Sequence, residues 1–205
     1  MRCCTSDLRP PGNKFIGHEF FLYTLALLTK GEQFDAATAL FEQMYFSPRN
    51  AERGLQPMVS FAALRSHAKA LVIRNERLDM RRLSLRADLL EQRSKSSGVE
   101  FRYLMQADFL SFLRADFTKG SEYGGWWPET LLYANRQYGA FELFARAVSS
   151  RYLQRLLPVL GVPNIATLQA KFASFGEASR ALPRWDYEQL SPSSLAGADK
   201  LGSMP

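Results

Sequence analysis

The stretch FRYLMQADFLSFLRADF, residues 101–117, decides the fold class. Its apolar side chains Phe101, Leu104, Met105, Phe109, Phe112 and Leu113 follow at intervals of 3, 1, 4, 3 and 1. That spacing tracks the turn of an α-helix and gathers all six on one face. The segment is predicted to be a core-facing helix.

Upstream, apolar residues surround the segment 18–30 on every side, which predicts a central, buried helix. Gly31 is predicted to end it as a left-handed cap. Phe34, Ala37, Leu40, Phe41, Met44 and Tyr45 then mark a second, amphipathic helix. The short link Lys30-Gly31-Glu32 makes the two an αα-hairpin. One such pair resembles a tetratricopeptide unit, but no second copy follows at that period, which excludes a repeat array. Residues 47–57 hold Pro48, Asn50, Gly54 and Pro57 and read as a loop. Ser60 is predicted to cap a helix over 61–74, and a basic helix is predicted over 77–95.

Downstream, 118–128 is a Gly-rich loop, and Pro128 suits the first turn of a following helix. A short strand over Thr130–Tyr133 is the alternative there. Phe141, Phe144, Val148, Tyr152 and Leu156 predict one long helix that closes before Gly161. Asn164 reads as the cap of another helix carrying Ile165, Leu168, Phe172 and Phe175. Sustained period-two alternation is absent from the sequence, which argues against a sheet-based domain. The expectation is an all-α, single-domain bundle of six or seven helices over residues 15–190. An irregular leader, 1–14, precedes it. A Ser-, Gly- and Ala-rich tail, 191–205, is expected to be disordered.

Composition fits that picture. Hydrophobic residues make up 46% of the 205 and charged residues 22%, which excludes disorder of the whole chain. The longest largely apolar run, Phe20–Leu28, has nine residues. A membrane span needs about 20, so no membrane association is expected. His18 and Glu19 border the run and no small-residue cleavage site follows, so it reads as a helix rather than a signal peptide. Cys3 and Cys4 are adjacent, which supplies neither a disulfide framework nor a zinc site. No metal and no cofactor is expected, and the cytoplasm is the expected compartment.

The net charge of +6 favours nucleic acid, anionic surfaces or acidic proteins as partners. Most of it lies in residues 65–95, where nine cations face Glu76, Asp79, Asp88 and Glu91. On one continuous helix, Arg74, Arg77 and Arg81 would fall within about 60° of one another. Arg82, Arg86 and Arg93 would form a second row, with Leu78, Leu85 and Leu89 between. Two readings follow. The arginines lay their stems along an apolar seam and keep their heads in water, or they form a face that grips phosphates through paired hydrogen bonds.

Other candidates are sparser. Helical ribonucleases of the HEPN kind place a His four to six residues after an Arg. Neither His18 nor His67 has that partner, since Arg65-Ser66-His67 is too close. Ala107-Asp108-Phe109 recurs as Ala115-Asp116-Phe117. The two aspartates would stand about 12 Å apart along a helix, too far to share a metal unaided. Tyr123, Trp126 and Trp127 would stack on bases or anchor a partner if exposed, and staple the loop if buried.

The stretch LMQADFLSFLR, 104–114, and the stretch WWPETLLYA, 126–134, with FELFARA, 141–147, resemble helical modules of bacterial conflict and antiphage-defence proteins. The resemblance covers residues 15–162 and carries no catalytic motif. It implies a module that accompanies a separate effector or nucleotide-binding part. The expected function is a non-catalytic binding or scaffolding subunit with a protein partner, and with nucleic acid as a second partner of the arginine face. The alternative is a divergent nuclease using helix-borne carboxylates, or Arg65 and His67.

Overall fold

A computed structural model describes residues 12–65, 69–119, 126–136, 139–175, 184–185 and 188–205. They are mostly helical. In chain order the α-helices are α1 (Gly12–Lys30), α2 (Phe34–Glu42), α3 (Pro48–Glu52), α4 (Lys69–Arg77), α5 (Leu85–Ser97), α6 (Phe101–Lys119), α7 (Glu142–Arg146), α8 (Ser150–Leu160), α9 (Ile165–Ser174) and α10 (Pro192–Ala196). Single 3₁₀ segments cover Phe61–Leu64, Glu129–Arg136 and Ala198–Lys200. Two-residue strands pair antiparallel, β1 (Tyr45–Phe46) with β2 (Met58–Val59) and β3 (Arg184–Trp185) with β4 (Glu188–Gln189). The ten described α-helices exceed the six or seven expected; three of them have only five residues.

The buried centre is α6, not α1. Residues 103–115 of α6 are all buried, including Gln106, Asp108, Ser111 and Arg114. Their polar groups are bonded internally, as close packing without water requires. Gln106 accepts from the Leu143 amide at 2.9 Å, Ser111 donates to the Ala107 carbonyl at 2.7 Å, and Arg114 donates to the Pro158 carbonyl. By contrast α1 leaves Phe20 69% and Leu27 55% exposed, so its all-round apolar pattern does not mean all-round burial. The left-handed residue after α1 is Glu32, at φ 54°, rather than Gly31.

Two aromatic clusters fill the space around α6. Phe21, Phe41, Phe61 and Trp126 form one, with ring centroids 4.8–5.7 Å apart. Phe109 with Phe141 and Phe144, and Phe117 with Phe172 and Phe175, form the other. Each such ring contributes roughly 1.5–3 kcal/mol by burial.

The expected long helix over 141–156 is two helices, because the chain's last residues intervene. Gly202 N–H bonds the Ala147 carbonyl, Met204 N–H bonds the Val148 carbonyl, and Ser150 N–H bonds the Met204 carbonyl. Backbone groups that α7 and α8 leave unpaired at 147–150 are satisfied by the segment 202–204. The tail is therefore ordered rather than disordered: Leu195, Ala196 and Leu201 are buried, and Ser191 caps α10. Thr130–Tyr133 lies in a 3₁₀ segment rather than a strand. Asn164 does cap α9, accepting from the Thr167 amide at 2.8 Å.

Candidate functional site

The basic segment is not one helix. Ser60 precedes a 3₁₀ turn, and α4 stops at Arg77. Asp79 and Arg81 then take left-handed φ values of 43° and 51°. The Asn75 amide fixes the reversal, donating to the Arg82 carbonyl at 2.7 Å and accepting from its N–H at 3.1 Å. Ser84 restarts the helix by accepting from the Ala87 amide. The two arginine rows therefore do not form on a common axis.

Each arginine has its own fate. Arg74 and Arg77 are exposed on α4, with no salt bridge to a described residue. Arg81 is exposed and pairs with Asp79 at 3.0 Å. Arg82 grips Asp88 through two hydrogen bonds, at 2.7 and 2.9 Å, and donates to the Tyr133 hydroxyl. Burial works against the Asp88 charge, but the Arg82 and Tyr133 donors hold its carboxyl below the ordinary range. Tyr133, burdened by burial and by that carboxylate, is pushed up to about 12. Arg93 pairs with Glu19 of α1. Arg86 is buried, 2% exposed, and so lies on no surface.

Arg86 belongs to a different constellation, assembled from distant parts of the chain. Its Nε is 3.7 Å from Glu129 Oε2. Arg65 reaches the same carboxylate, donating to Oε1 at 3.0 Å while its Nε donates to the Trp127 carbonyl at 2.7 Å. The Ser84 hydroxyl donates to Glu129 Oε2 at 3.2 Å. These residues, with Leu71, Val72, Asn75, Leu83, Leu85 and Trp127, line a cavity of about 360 Å³. Burial lowers the Arg86 pKa from its ordinary value, against the pull of Glu129.

Behind it lies a second buried group. Asp108 accepts from Trp126 Nε1 at 2.5 Å and from both the amide and the hydroxyl of Thr130, at 2.9 and 2.7 Å. Complete burial raises its pKa to about 6 in spite of those donors. The His18 ring packs tilted against Trp126, with centroids 4.9 Å apart and planes at 31°. Burial pushes the His18 pKa well below its ordinary value, and the positive fields of Arg86 and Arg65 add to the effect. Neither His18 nitrogen has a hydrogen-bond partner among the described residues. A carboxyl enclosed by three donors is a structural post. Trp126, 2% exposed, is likewise a staple rather than a contact surface. Trp127 is half-buried at the cavity wall, and Tyr123 and His67 lie outside the described residues. Among the described residues no three His, Cys, Asp or Glu side chains converge as a metal site. No described helix is long and apolar enough to cross a membrane.

Two features escaped the sequence reading. The Arg65–Glu129–Arg86 group joins residues 64 positions apart and has no local signature. Ile16, Phe20, Tyr23 and Leu27 do have one, a spacing of 4, 3 and 4, and they line a groove of about 650 Å³ between α1 and α5. No protein-family description, no curated protein and no solved structure matches this chain.

Proposed function

We propose that the chain is a non-catalytic binding subunit that docks a protein partner through the surface of α4 and the turn after it. The observation that carries this is a run of exposed apolar side chains within twelve residues: Val72, Ile73, Leu78, Met80 and Leu83, the last 87% exposed. Large apolar side chains left exposed together in one short segment suit a docking surface. Arg74 and Arg77 lie among them, and arginine is enriched at such interfaces. The pattern favours an acidic protein over nucleic acid, because Arg81, Arg82 and Arg93 already hold carboxylates of the same chain. In line with the resemblance to conflict-system modules, the assembly is proposed to act in antiphage defence in the cytoplasm.

The test is a Leu78→Asp/Leu83→Asp double variant. The wild-type chain, purified from its native host, should carry a stoichiometric protein partner, and the variant should lose it at unchanged melting temperature. A wild-type chain with no partner rejects the proposal. Fluorescence anisotropy with DNA and RNA at two salt concentrations examines the other occupant. Tight, salt-sensitive binding abolished by Arg74→Ala/Arg77→Ala would replace the protein reading with nucleic acid.

A further inference from the structure

We propose that the turn after α4 is a latch between two forms of the chain, one with α4 folded back over the start of α5 and one in which the two join as a single helix. The inference concerns the chain alone and stands whether or not the 72–83 surface docks a protein. Residues 78–84, LDMRRLS, contain no Gly or Pro, and Leu, Met and Arg are strong helix formers. Yet Asp79 and Arg81 hold φ values of 43° and 51°, a conformation that costs energy in a residue with a Cβ. Local preference and adopted structure disagree over these seven residues. Little holds α4 back: it has no buried residue and rests chiefly on α5. Leu71 and Val72 share a cavity wall with Leu85 and Arg86, which one continuous helix would set about 21 Å away. The clasps are polar and exposed. Asn75 brackets the Arg82 backbone with two hydrogen bonds, and Arg82 grips Asp88. Water competes for such surface contacts. Joining the helices gives up both clasps and the Ser84 cap. In exchange both left-handed residues relax, and Asp79 meets Arg82 three residues on.

The buried row of α5 shows where the join leads. Ala87, Leu90 and Ser94 are buried, at steps of 3 and 4. Stepping back along the same row by 4, 3, 4 and 3 residues gives Leu83, Met80, Glu76 and Ile73. The three apolar ones are exposed in the folded-back form, Leu83 by 87%, Ile73 by 49% and Met80 by 39%. A straight helix sets them in one stripe with Ala87 and Leu90, so whatever covers that stripe draws the chain toward the straight form. The tether allows it. The chain from Arg65 to Ile73 reaches about 27 Å when extended, against about 18 Å from Ile73 to Leu85 along a helix.

Pulsed electron–electron double resonance on the full chain tests it. The parent carries Cys3→Ser and Cys4→Ser, with nitroxides on Arg74→Cys and Gln92→Cys, both at exposed positions. One helix sets these labels about 27 Å apart along its axis, and the folded-back form holds them closer. The parent should show mainly the shorter distance. Asn75→Ala/Arg82→Ala removes both clasps and should raise the population at about 27 Å roughly tenfold over the parent, with a gain of helix by circular dichroism. Asp79→Gly/Arg81→Gly relieves the bend and penalises the helix, and should abolish that population. The melting temperature checks that the body of each variant remains folded. Three results overturn the proposal: a distance unchanged by loss of the clasps, a broad distribution with loss of helix (α4 unfolding instead of joining), or a glycine variant that straightens as readily as the alanine one.

Discussion

Arg114 occupies the space that a side chain at residue 161 would need. A Cβ on Gly161 would lie 2.7 Å from Arg114 Nη1 and 2.7 Å from Thr118 Cγ2. The approach has a purpose. Arg114 donates to the Pro158 carbonyl at 2.5 Å, in the last turn of α8, where carbonyls lack partners within the helix and cations are favoured. Gly161 also has φ 70°, the left-handed conformation that closes α8. Gly161→Ala should therefore cost about 2–4 kcal/mol, combining backbone strain with displacement of a buried guanidinium. Urea unfolding reads it; a loss under about 1 kcal/mol would mean that Arg114 moves aside freely.

Asp108→Asn keeps the shape and removes the charge. The aspartate accepts from three donors, and an Asn amide must turn its own N–H₂ toward one side of that set. Either the Trp126 indole or the Thr130 pair then faces a donor. The expected loss is about 2–3 kcal/mol, the scale of a buried donor left without its acceptor. An unchanged denaturation midpoint would show that the hydrogen bonds at Asp108 are not what seats Trp126.

His18 and Asp108 pull the acid stability of the chain in opposite directions. The folded state resists protonating His18, whose pKa lies well below the 6.5 of an unfolded His. As pH falls below that value, the unfolded chain takes up a proton that the folded chain refuses, so this residue lowers stability toward acid. Asp108, raised from 3.8 to about 6, binds its proton first in the folded state, so between those values it raises stability as pH falls. His18→Phe removes only the first effect. The variant should gain on the wild type by up to about 1.4 kcal/mol per pH unit below pH ~6.5. Parallel stability curves for the two proteins would contradict the neutral, buried state of His18.

How far the sequence could be read depended on whether the partner was local. Asn164 caps the helix three residues ahead, and Gly161 closes the helix behind it, so both were legible from neighbours. The turn at 78–84 contains no Gly or Pro to announce it. It is made by Asn75 bonding the Arg82 backbone and by Ser84 capping α5, and only Ser84 leaves a sequence trace. Gln106, Asp108 and Ser111 of α6 are absorbed by partners from other elements, Leu143, Trp126 and Thr130, or by the helix's own Ala107 carbonyl, and of these only the last is local in sequence. The break at 147–149 depends on backbone bonds from residues 202–204, which no window of sequence contains. Arg65 and Arg86 likewise converge on Glu129, which follows α6 in the chain and is distant in sequence from both.

Phe20 and Phe21 are neighbours in the chain with opposite environments, which makes them a direct check on the orientation of α1. A single residue turns the helix by about 100°. Phe21 is 4% exposed and its ring lies 5.6–5.7 Å from those of Phe41, Phe61 and Trp126, whereas Phe20 is 69% exposed on the groove between α1 and α5. Phe21→Ala should cost about 3–5 kcal/mol through lost burial and the cavity left among those rings. Phe20→Ala should stay within about 0.5 kcal/mol, since most of that ring is already in water. Urea unfolding of both variants at low protein concentration reads the contrast. Equal penalties would mean that the Ile16, Phe20 and Leu27 row is covered in solution, and that α1 is enclosed on both faces as its apolar pattern first suggested.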